Sequence, residues 1–489
     1  MNGEKGTQQE TKPLSVPTLR FLLSDRPYSF DPIDFDAFVH HVTGGALIPT
    51  LVSSYRHGPI TGELAKEWSA DASMSIWKFW IRSDFFFETG EPLRPEHVLA
   101  SLKRIAFLQK QKGSRSGLFE HLKGIDELRS ASGDLPGLRL NGQVLEMEFA
   151  QPMPKLLESL SFGIYGTVHP DDFEPNTGAW KAKTKVTAAG PYQLTGWNDT
   201  SIQVTLRTTG YPADLRSPEA APSIEFRWGD VPDSEVDIIM AESTRTELEP
   251  KGFSFFGPGG KDVSILYMRA ISAAVPASPF HSVSMRRALR DRFYQEMEGR
   301  GHPMARSFLP LSMPGIEPMV AGNAAPEPCS PSSGGVIRLV PPRRKAALFR
   351  DQAPSLTAAA KACGLQVQIV DDVPFADVLK QLDPGTSDFS VDSSFLVTGI
   401  RVEDPAADVR FMVQSSEGIR LPDPTGRLHR IVEQTPIPYS EFNKALWDDA
   451  LIWPVAHFVA GLWHRNSVNL DEIDASMPPT AVALIRFRR

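Results

Sequence analysis

Apolar and polar residues alternate with a period of two from Trp77 to Arg82. Trp77, Phe79 and Ile81 fall on one side, and Lys78, Trp80 and Arg82 on the other. This alternation predicts a strand with two unlike faces. The aromatic run Phe85 to Phe87 follows, then a turn at Thr89-Gly90, and Pro95 stands where the first turn of a helix accepts proline. Val98, Leu99, Leu102, Ile105 and Ala106 recur at helical spacing, with Lys103 and Arg104 on the other side. The stretch from Thr61 to Ile105 thus predicts a strand, a turn and an amphipathic helix, and the rest of the chain is organised around it.

Residues 1–16 are polar without periodicity and predict a disordered start. Thr18 to Leu23 predicts a strand leading to Phe30-Asp31-Pro32, and the apolar stretch Val39 to Tyr55 predicts a helix. Leu138 to Leu140 and Val144 to Phe149 flank Asn141-Gly142, which predicts a hairpin with a type I′ turn. Pro154 opens a short helix carrying Leu156, Leu157 and Leu160. Period-two strands at Ile202 to Leu206, Ile224 to Trp228 and Val263 to Tyr267 point to a mixed sheet with one well-buried face. Residues 305–335, rich in Pro, Gly and Ser, read as a long surface connection. Val336 to Val340, a helix from Pro354 closed by Gly364, and the alternation Leu365, Val367, Ile369 then form a strand–helix–strand unit. That order implies a right-handed crossover between parallel strands. Phe375 to Leu382 predicts one more helix, and Phe389 begins another strand.

At 489 residues the chain exceeds one ordinary core, so two or three domains are expected. A net charge of −8 argues against a nucleic-acid surface, which wants clustered Lys and Arg. Arg486, Arg488 and Arg489 read as a solvated tail. No run approaches the ~18 apolar residues of a membrane-crossing helix. The first residues show no basic-then-apolar leader. Two readings stay open: a leader removed before this numbering begins, or a cytoplasmic protein. Cys329 in the linker and Cys363 on the apolar helix face leave a bridge geometrically open, while two unpaired thiols are the simpler reading.

Catalytic signatures fail. Gly113-Ser114-Arg115-Ser116-Gly117 puts arginine where a nucleophile elbow needs serine. Gly257-Pro258-Gly259-Gly260 meets Asp262 where a dinucleotide fingerprint needs its last glycine. None of the 11 histidines makes a His-Glu-x-x-His pair. His40 and His41 point to different sides of a helix and suit a surface. His169-Pro170-Asp171-Asp172 reads as a loop with solvated acids. No catalytic residue, metal or cofactor is expected.

Leu64, Ala65, Trp68, Phe79, Ile81, Arg82, Phe87, Gly90, Pro92, Leu93 and Val98 stand in a specific order. Phe30-Asp31-Pro32 precedes them, and Ala189-Gly190-Pro191-Tyr192 and Ser284 to Leu289 follow. This order resembles the family 5 solute-binding proteins of ABC transporters, the dipeptide-, oligopeptide- and nickel-binding receptors, from about Leu19 to about Val468. Arg94 and His97 depart from the family's threonine cap and aspartate. Since an arginine side chain cannot accept a capping bond, a weaker helix start is expected. The resemblance implies an α/β, two-lobed periplasmic-binding-protein-like fold (type II, cluster C) with an extra domain and mixed sheets flanked by helices. Domain I would take 17–45, 180–270 and 461–489, domain II 46–179, and domain III 271–460.

The resemblance further implies a non-enzymatic, monomeric receptor that encloses a peptide-like or other small solute. It would deliver that solute to ABC permease membrane subunits, in the periplasm or otherwise outside the cytoplasm. A cytoplasmic ligand sensor of the same fold, acting through a regulatory partner, is the runner-up. Two implied ligand-binding segments follow. One comprises Asp36 and Phe38 after the first strand. The other is a third-domain loop in which peptide-binding members place an aspartate four residues before the proline of an acidic-proline pair. Here that pair is Asp404-Pro405, the residue four before the proline is Arg401, and Thr398 replaces the usual aromatic three residues earlier. A guanidinium repels an α-ammonium and suits an anion instead. A shifted register would bring Asp392 or Asp404 into that place.

Overall fold

The computed structural model describes residues 17–488, apart from 36–37, 55–58, 112–117, 244, 259–261, 320–328, 330–334, 342–346, 371–372, 374–377, 379–380, 383–389, 403–404, 415–419 and 474–483. Three sheets organise it. In the seven-stranded sheet the order is Phe253–Phe256, Ala460–Arg465, Ile238–Glu242, Thr18–Leu22, Ser223–Arg227, Ser201–Leu206, Tyr192–Trp197. Thr18–Leu22 is a central strand, parallel to both neighbours, and its Leu19 and Phe21 are fully buried. The four-stranded antiparallel sheet runs Ala65–Ala70, Ile76–Ile81, Val144–Glu148, Leu138–Asn141. The five-stranded sheet runs Gln366–Ile369, Val336–Val340, Ser393–Arg401, Asp262–Ala270, Ile452–Phe458.

The alternation in Ile76–Ile81 is realised. Trp77, Phe79 and Ile81 are buried and Lys78 is exposed. Full burial of a side chain of the Phe79 kind contributes about 1.5–3 kcal/mol. The helix Pro95–Gln111 packs Val98, Leu102, Ile105 and Ala106 inward. Arg104 corrects the expectation of a solvent face: it is 1% exposed. It holds Asp31 through Nη1–Oδ1 at 2.8 Å and Nη2–Oδ2 at 2.6 Å, and donates from Nε to the Gly178 carbonyl at 2.8 Å. The rings of Phe173 and Trp180 lie 5.2 Å from its guanidinium.

The helix start is also better made than expected. Arg94 cannot cap, but the Arg94 N–H donates to His97 Nδ1 at 3.2 Å. His97 thus takes the acceptor role that Glu or Gln holds at the third helical position of a capping box. A protonated imidazole has no acceptor left. Burial, helped by the nearby charges of His169 and Arg94 and opposed by Glu91, pushes the His97 pKa down. The unfolded chain therefore binds the proton more readily, so this contribution is complete above the unfolded value of about 6.5 and is lost as pH falls through the folded value. His97→Gln, which keeps an acceptor but does not titrate, is expected to flatten the loss of stability below pH 6.5. Urea midpoints measured from pH 7.5 down to pH 4.5 check this, and an unchanged profile contradicts it.

Other elements depart from the expected pattern. The helix after the first strand is Phe38–Gly45, after which the chain turns and forms the short strand Val52–Ser53. In the hairpin Asn141 pairs with Val144, so the turn residues are Gly142 and Gln143, and only Gly142 has positive φ (60°). That is the signature of a II′ rather than a I′ turn. The 305–335 connection is no mere surface loop, because Phe308, Leu309, Met313 and Ile316 are buried in the core under the five-stranded sheet. The strand–helix–strand unit is present: Val336–Val340 and Gln366–Ile369 pair in parallel across the helix Gln352–Ala362. Most of the helix expected at 375–382 lies outside the described residues, as does Phe389, and the next described strand is Ser393–Arg401. Cys329 and Cys363 form a disulfide, with Cα atoms 5.3 Å apart, which corrects the unpaired reading.

Candidate functional site

The chain passes twice between the seven-stranded and five-stranded sheets. One passage joins Phe253–Phe256 to Asp262–Ala270, and the other joins Ile452–Phe458 to Ala460–Arg465 through Val459 alone. Ser243, at the end of Ile238–Glu242, braces that single residue: its N–H donates to the Val459 carbonyl at 2.8 Å. Gly461 follows, and a Cβ there would stand 2.4 Å from the Phe256 carbonyl oxygen. The two passages therefore touch, and any side chain at 461 would force them apart. A narrow double connection between two sheets is the geometry of a hinge.

The segment after the first strand leaves the seven-stranded sheet on this same side. Thr18–Leu22 runs parallel to Ile238–Glu242, so its carboxyl end points the way of Ser243 and Val459. Open sheets of this kind bind ligands beyond the carboxyl ends of their strands. The segment is firmly set. Asp31, held by Arg104, accepts the Ile33 N–H at 3.1 Å and caps the turn Pro32–Asp34. Asp36 lies outside the described residues, and Phe38 opens the helix Phe38–Gly45.

Around that segment sits an aromatic group that pattern reading missed. His40 is buried, accepts the Tyr28 N–H at Nε2 (3.2 Å) and packs edge-on to the Tyr28 ring at 4.3 Å. The surface role expected for it is thus corrected. His41 stands 5.6 Å from the Phe35 ring and 6.3 Å from Phe162, which is 42% exposed. A half-exposed aromatic beside a ligand segment is a candidate stacking surface. Its signal in the sequence was only an isolated Phe before Gly163.

In the five-stranded sheet the backbone of Arg401 pairs with Asp262, the first residue after one passage. Thr398 is half-buried opposite Ile265, on the face where Leu396 and Ile400 enter the core. His457 follows on the neighbouring strand, its Nε2 3.2 Å from the Phe308 carbonyl. Burial lowers its pKa and keeps it neutral. Asp404 lies outside the described residues. Asp392 is fully engaged elsewhere: Arg338 holds it bidentately at 2.9 and 3.2 Å, and it accepts the Arg338 N–H as well. Burial pushes its pKa up, but these bonds outweigh burial and hold it below the usual carboxylate value.

The histidine–aspartate loop is more structured than expected. His169 is buried, its Nδ1 accepts the Asp171 N–H at 3.1 Å, and its Nε2 lies 3.1 Å from Glu91. Asp172 accepts both the N–H and the hydroxyl of Thr187 at 2.9 Å, while Asp171 stays exposed. Among the described residues no three His, Cys, Asp or Glu side chains come together as a metal site.

Residues 59–241 match the bacterial extracellular solute-binding proteins, family 5 Middle. No curated protein matches the sequence. Solved structures match over nearly the whole chain. OppA of Listeria monocytogenes, bound to peptide, is 14% identical with a TM-score of 0.73, covering 97% of this chain and 100% of that one. Burkholderia pseudomallei OppA is 16% identical with a TM-score of 0.71, at 97% and 100% coverage. The Escherichia coli murein tripeptide binding protein MppA is 15% identical with a TM-score of 0.69, at 97% and 99% coverage. The motif order, the matched middle region and the fold agree: residues 59–241 match the family 5 solute-binding proteins, and nearly the whole chain shares the two-lobed fold of the solved oligopeptide- and murein-tripeptide-binding proteins.

Proposed function

We propose that this protein is the solute receptor of an ABC transporter, closing two lobes on a peptide-like or other small solute and presenting it to a permease. The observation that carries this reading is the double passage, through Val459 and between Phe256 and Asp262, next to which the backbone of Arg401 pairs with Asp262. Closure is a population shift set by the solute's greater affinity for the closed state. In this reading domain I takes 17–45, 180–270 and 461–489, domain II 46–179 and domain III 271–460. The protein works as a monomer, binds no nucleic acid and catalyses nothing. The disulfide supports a location outside the cytoplasm, since such bonds persist in oxidising compartments. That weighs against the cytoplasmic sensor. No described helix is long and apolar enough to cross a membrane.

Native mass spectrometry of gently purified protein tests the reading. A discrete added mass, released on denaturation, is expected; a bare chain that binds nothing from a metabolite and peptide panel contradicts it.

The solute is expected to differ from an ordinary peptide. The matched OppA carries peptide, yet Arg401 stands where peptide receptors hold the α-ammonium with a carboxylate. That charge-assisted bond is worth about 1.5–3 kcal/mol, so di- to pentapeptides should bind weakly and Arg401→Asp should bind them on the order of tenfold more tightly. Calorimetry with a peptide library checks this. Sub-micromolar binding to the unmodified chain, lost in Asp404→Ala, would place the ammonium partner at Asp404 instead.

A further inference from the structure

Away from the passages between the lobes, a half-open cavity of about 370 Å³ lies where the loop after Ile76–Ile81 meets the Ser201–Leu206 strand and its following turn. Glu88, Gln193, Arg207, Thr208 and Thr209 are among its lining residues. Its walls are fixed by backbone bonds. The Phe86 N–H donates to the Gly210 carbonyl at 2.9 Å, and the Glu88 N–H to the Ala188 carbonyl at 2.7 Å. Arg207 clamps the two sides together, with Nη1 on the Gly190 carbonyl at 3.1 Å and Nη2 on the Phe86 carbonyl at 2.7 Å. Gly210, at φ 81°, leaves the room this clamp needs: a Cβ there would stand 2.5 Å from Arg207 Nη2.

Two opposite charges share this cavity without meeting. Arg207 is 6% exposed, and the two carbonyls use two of the five N–H donors of a guanidinium. Among the described residues no carboxylate stands within 4.0 Å of its nitrogens, and no cation within 4.0 Å of the Glu88 carboxylate. Burial pushes the Arg207 pKa down; Glu88 is exposed at the rim, and partial desolvation of its carboxylate pushes its pKa up against the bond it accepts from the Ala188 N–H. Each is the other's nearest compensating charge, and the Asp172 charge works against Glu88 as well. A fixed gap between a buried cation with spare donors and a carboxylate at the exposed rim is complementary to a molecule carrying both charges. The hydroxyls of Thr208 and Thr209 and the amide of Gln193 add donors and acceptors at the exposed rim. The volume lies at the small end of ligand pockets.

We propose that this cavity is a second binding site, for a small zwitterion with an ammonium and a carboxylate, the class of free α-amino acids. The carboxylate meets the spare donors of Arg207 and the ammonium meets Glu88. The site is built within one lobe, so its occupancy does not require the lobes to close.

Calorimetry with glycine and L-serine as probes tests it, with glycinamide and acetate as single-charge controls. The zwitterions are expected to bind at least tenfold more tightly than either control. Glu88→Gln is expected to remove that preference while keeping the fold, since its amide oxygen can still accept the Ala188 N–H that the carboxylate accepts, and melting curves monitor that bond. Arg207→Lys, which keeps the charge but not the fork, should weaken binding at least tenfold, with melting curves monitoring the clamp. Hydrogen exchange should slow at 86–90 and 206–210 on glycine addition. No heat with millimolar glycine or L-serine overturns the proposal. So does binding that Glu88→Gln leaves unchanged, and in that case a fall in radius of gyration on binding would assign the probe to the cleft between the lobes.

Discussion

Arg104→Leu is expected to cost about 3–5 kcal/mol of folding stability, because it strands the Asp31 carboxylate in a buried site. Asp31 is 4% and Arg104 1% exposed. Water cannot readily replace the lost partner, and the aromatic faces of Phe173 and Trp180 offer a carboxylate nothing. Against a total of about 5–15 kcal/mol for an ordinary domain, such a loss unfolds much of the population on modest heating. The double variant Arg104→Met with Asp31→Leu should recover most of it, since replacing both charges leaves no orphan. Urea denaturation of the unmodified chain and the two variants decides the point. A loss below about 1 kcal/mol for Arg104→Leu alone, the level of a surface pair, would show that the pair is not sealed from solvent. The same pair fixes the turn that leads into the implied ligand segment, so affinity for the solute should fall with stability.

Removing the disulfide is the second large effect. The bridge closes a loop across a sequence separation of 34 residues. The chain-entropy relation gives about 3–4 kcal/mol for a loop of this length. Cys363 is 4% exposed and caps the helix Gln352–Ala362, so the loss should be felt in the core it shares with Ile337, Leu339 and Leu356 rather than at the surface. Cys329→Ser is expected to lower the denaturation midpoint, and reducing agent should lower that of the unmodified chain to match. Intact mass under non-reducing conditions supplies the control: a chain two hydrogens heavier would show free thiols. Equal midpoints with and without reductant would remove the bridge from the stability of the fold.

Local pattern carried a large part of the fold. Trp77, Phe79 and Ile81 announce their strand because one face is buried and the other is not, and period two records that difference directly. The helix Pro95–Gln111 and the parallel pair around Gln352–Ala362 were equally legible, each being short-range. What failed depended on partners far away in sequence. Arg104 reads as a solvent residue until Asp31, 73 positions earlier, is brought against it. His97 looks like a lost cap until the helix exists and places its ring beneath the Arg94 amide. The apolar run Val39 to Tyr55 carries helix and strand composition alike, and Gly44-Gly45 ends the helix halfway. In the hairpin, pairing of Asn141 with Val144 moved the turn by one residue.

The candidate site was less legible than the fold. Its implied ligand segments follow strands of two different sheets, and nothing in the spacing between Phe38 and Arg401 relates the one to the other. Family likeness supplied their positions. In the structure the Asp262–Arg401 backbone pair follows one passage between the sheets, and the carboxyl end of Thr18–Leu22 points the way of the other. The exposed Phe162 and the Glu88–Arg207 cavity emerge only from tertiary packing.

Small-angle scattering on the protein before and after adding the solute identified by native mass spectrometry is the most direct measure of closure. Ligand binding to the closed form should shrink the radius of gyration and raise the melting temperature together, by mass action. Tight binding of that solute with an unchanged scattering curve would contradict closure of two lobes about the Val459 passage.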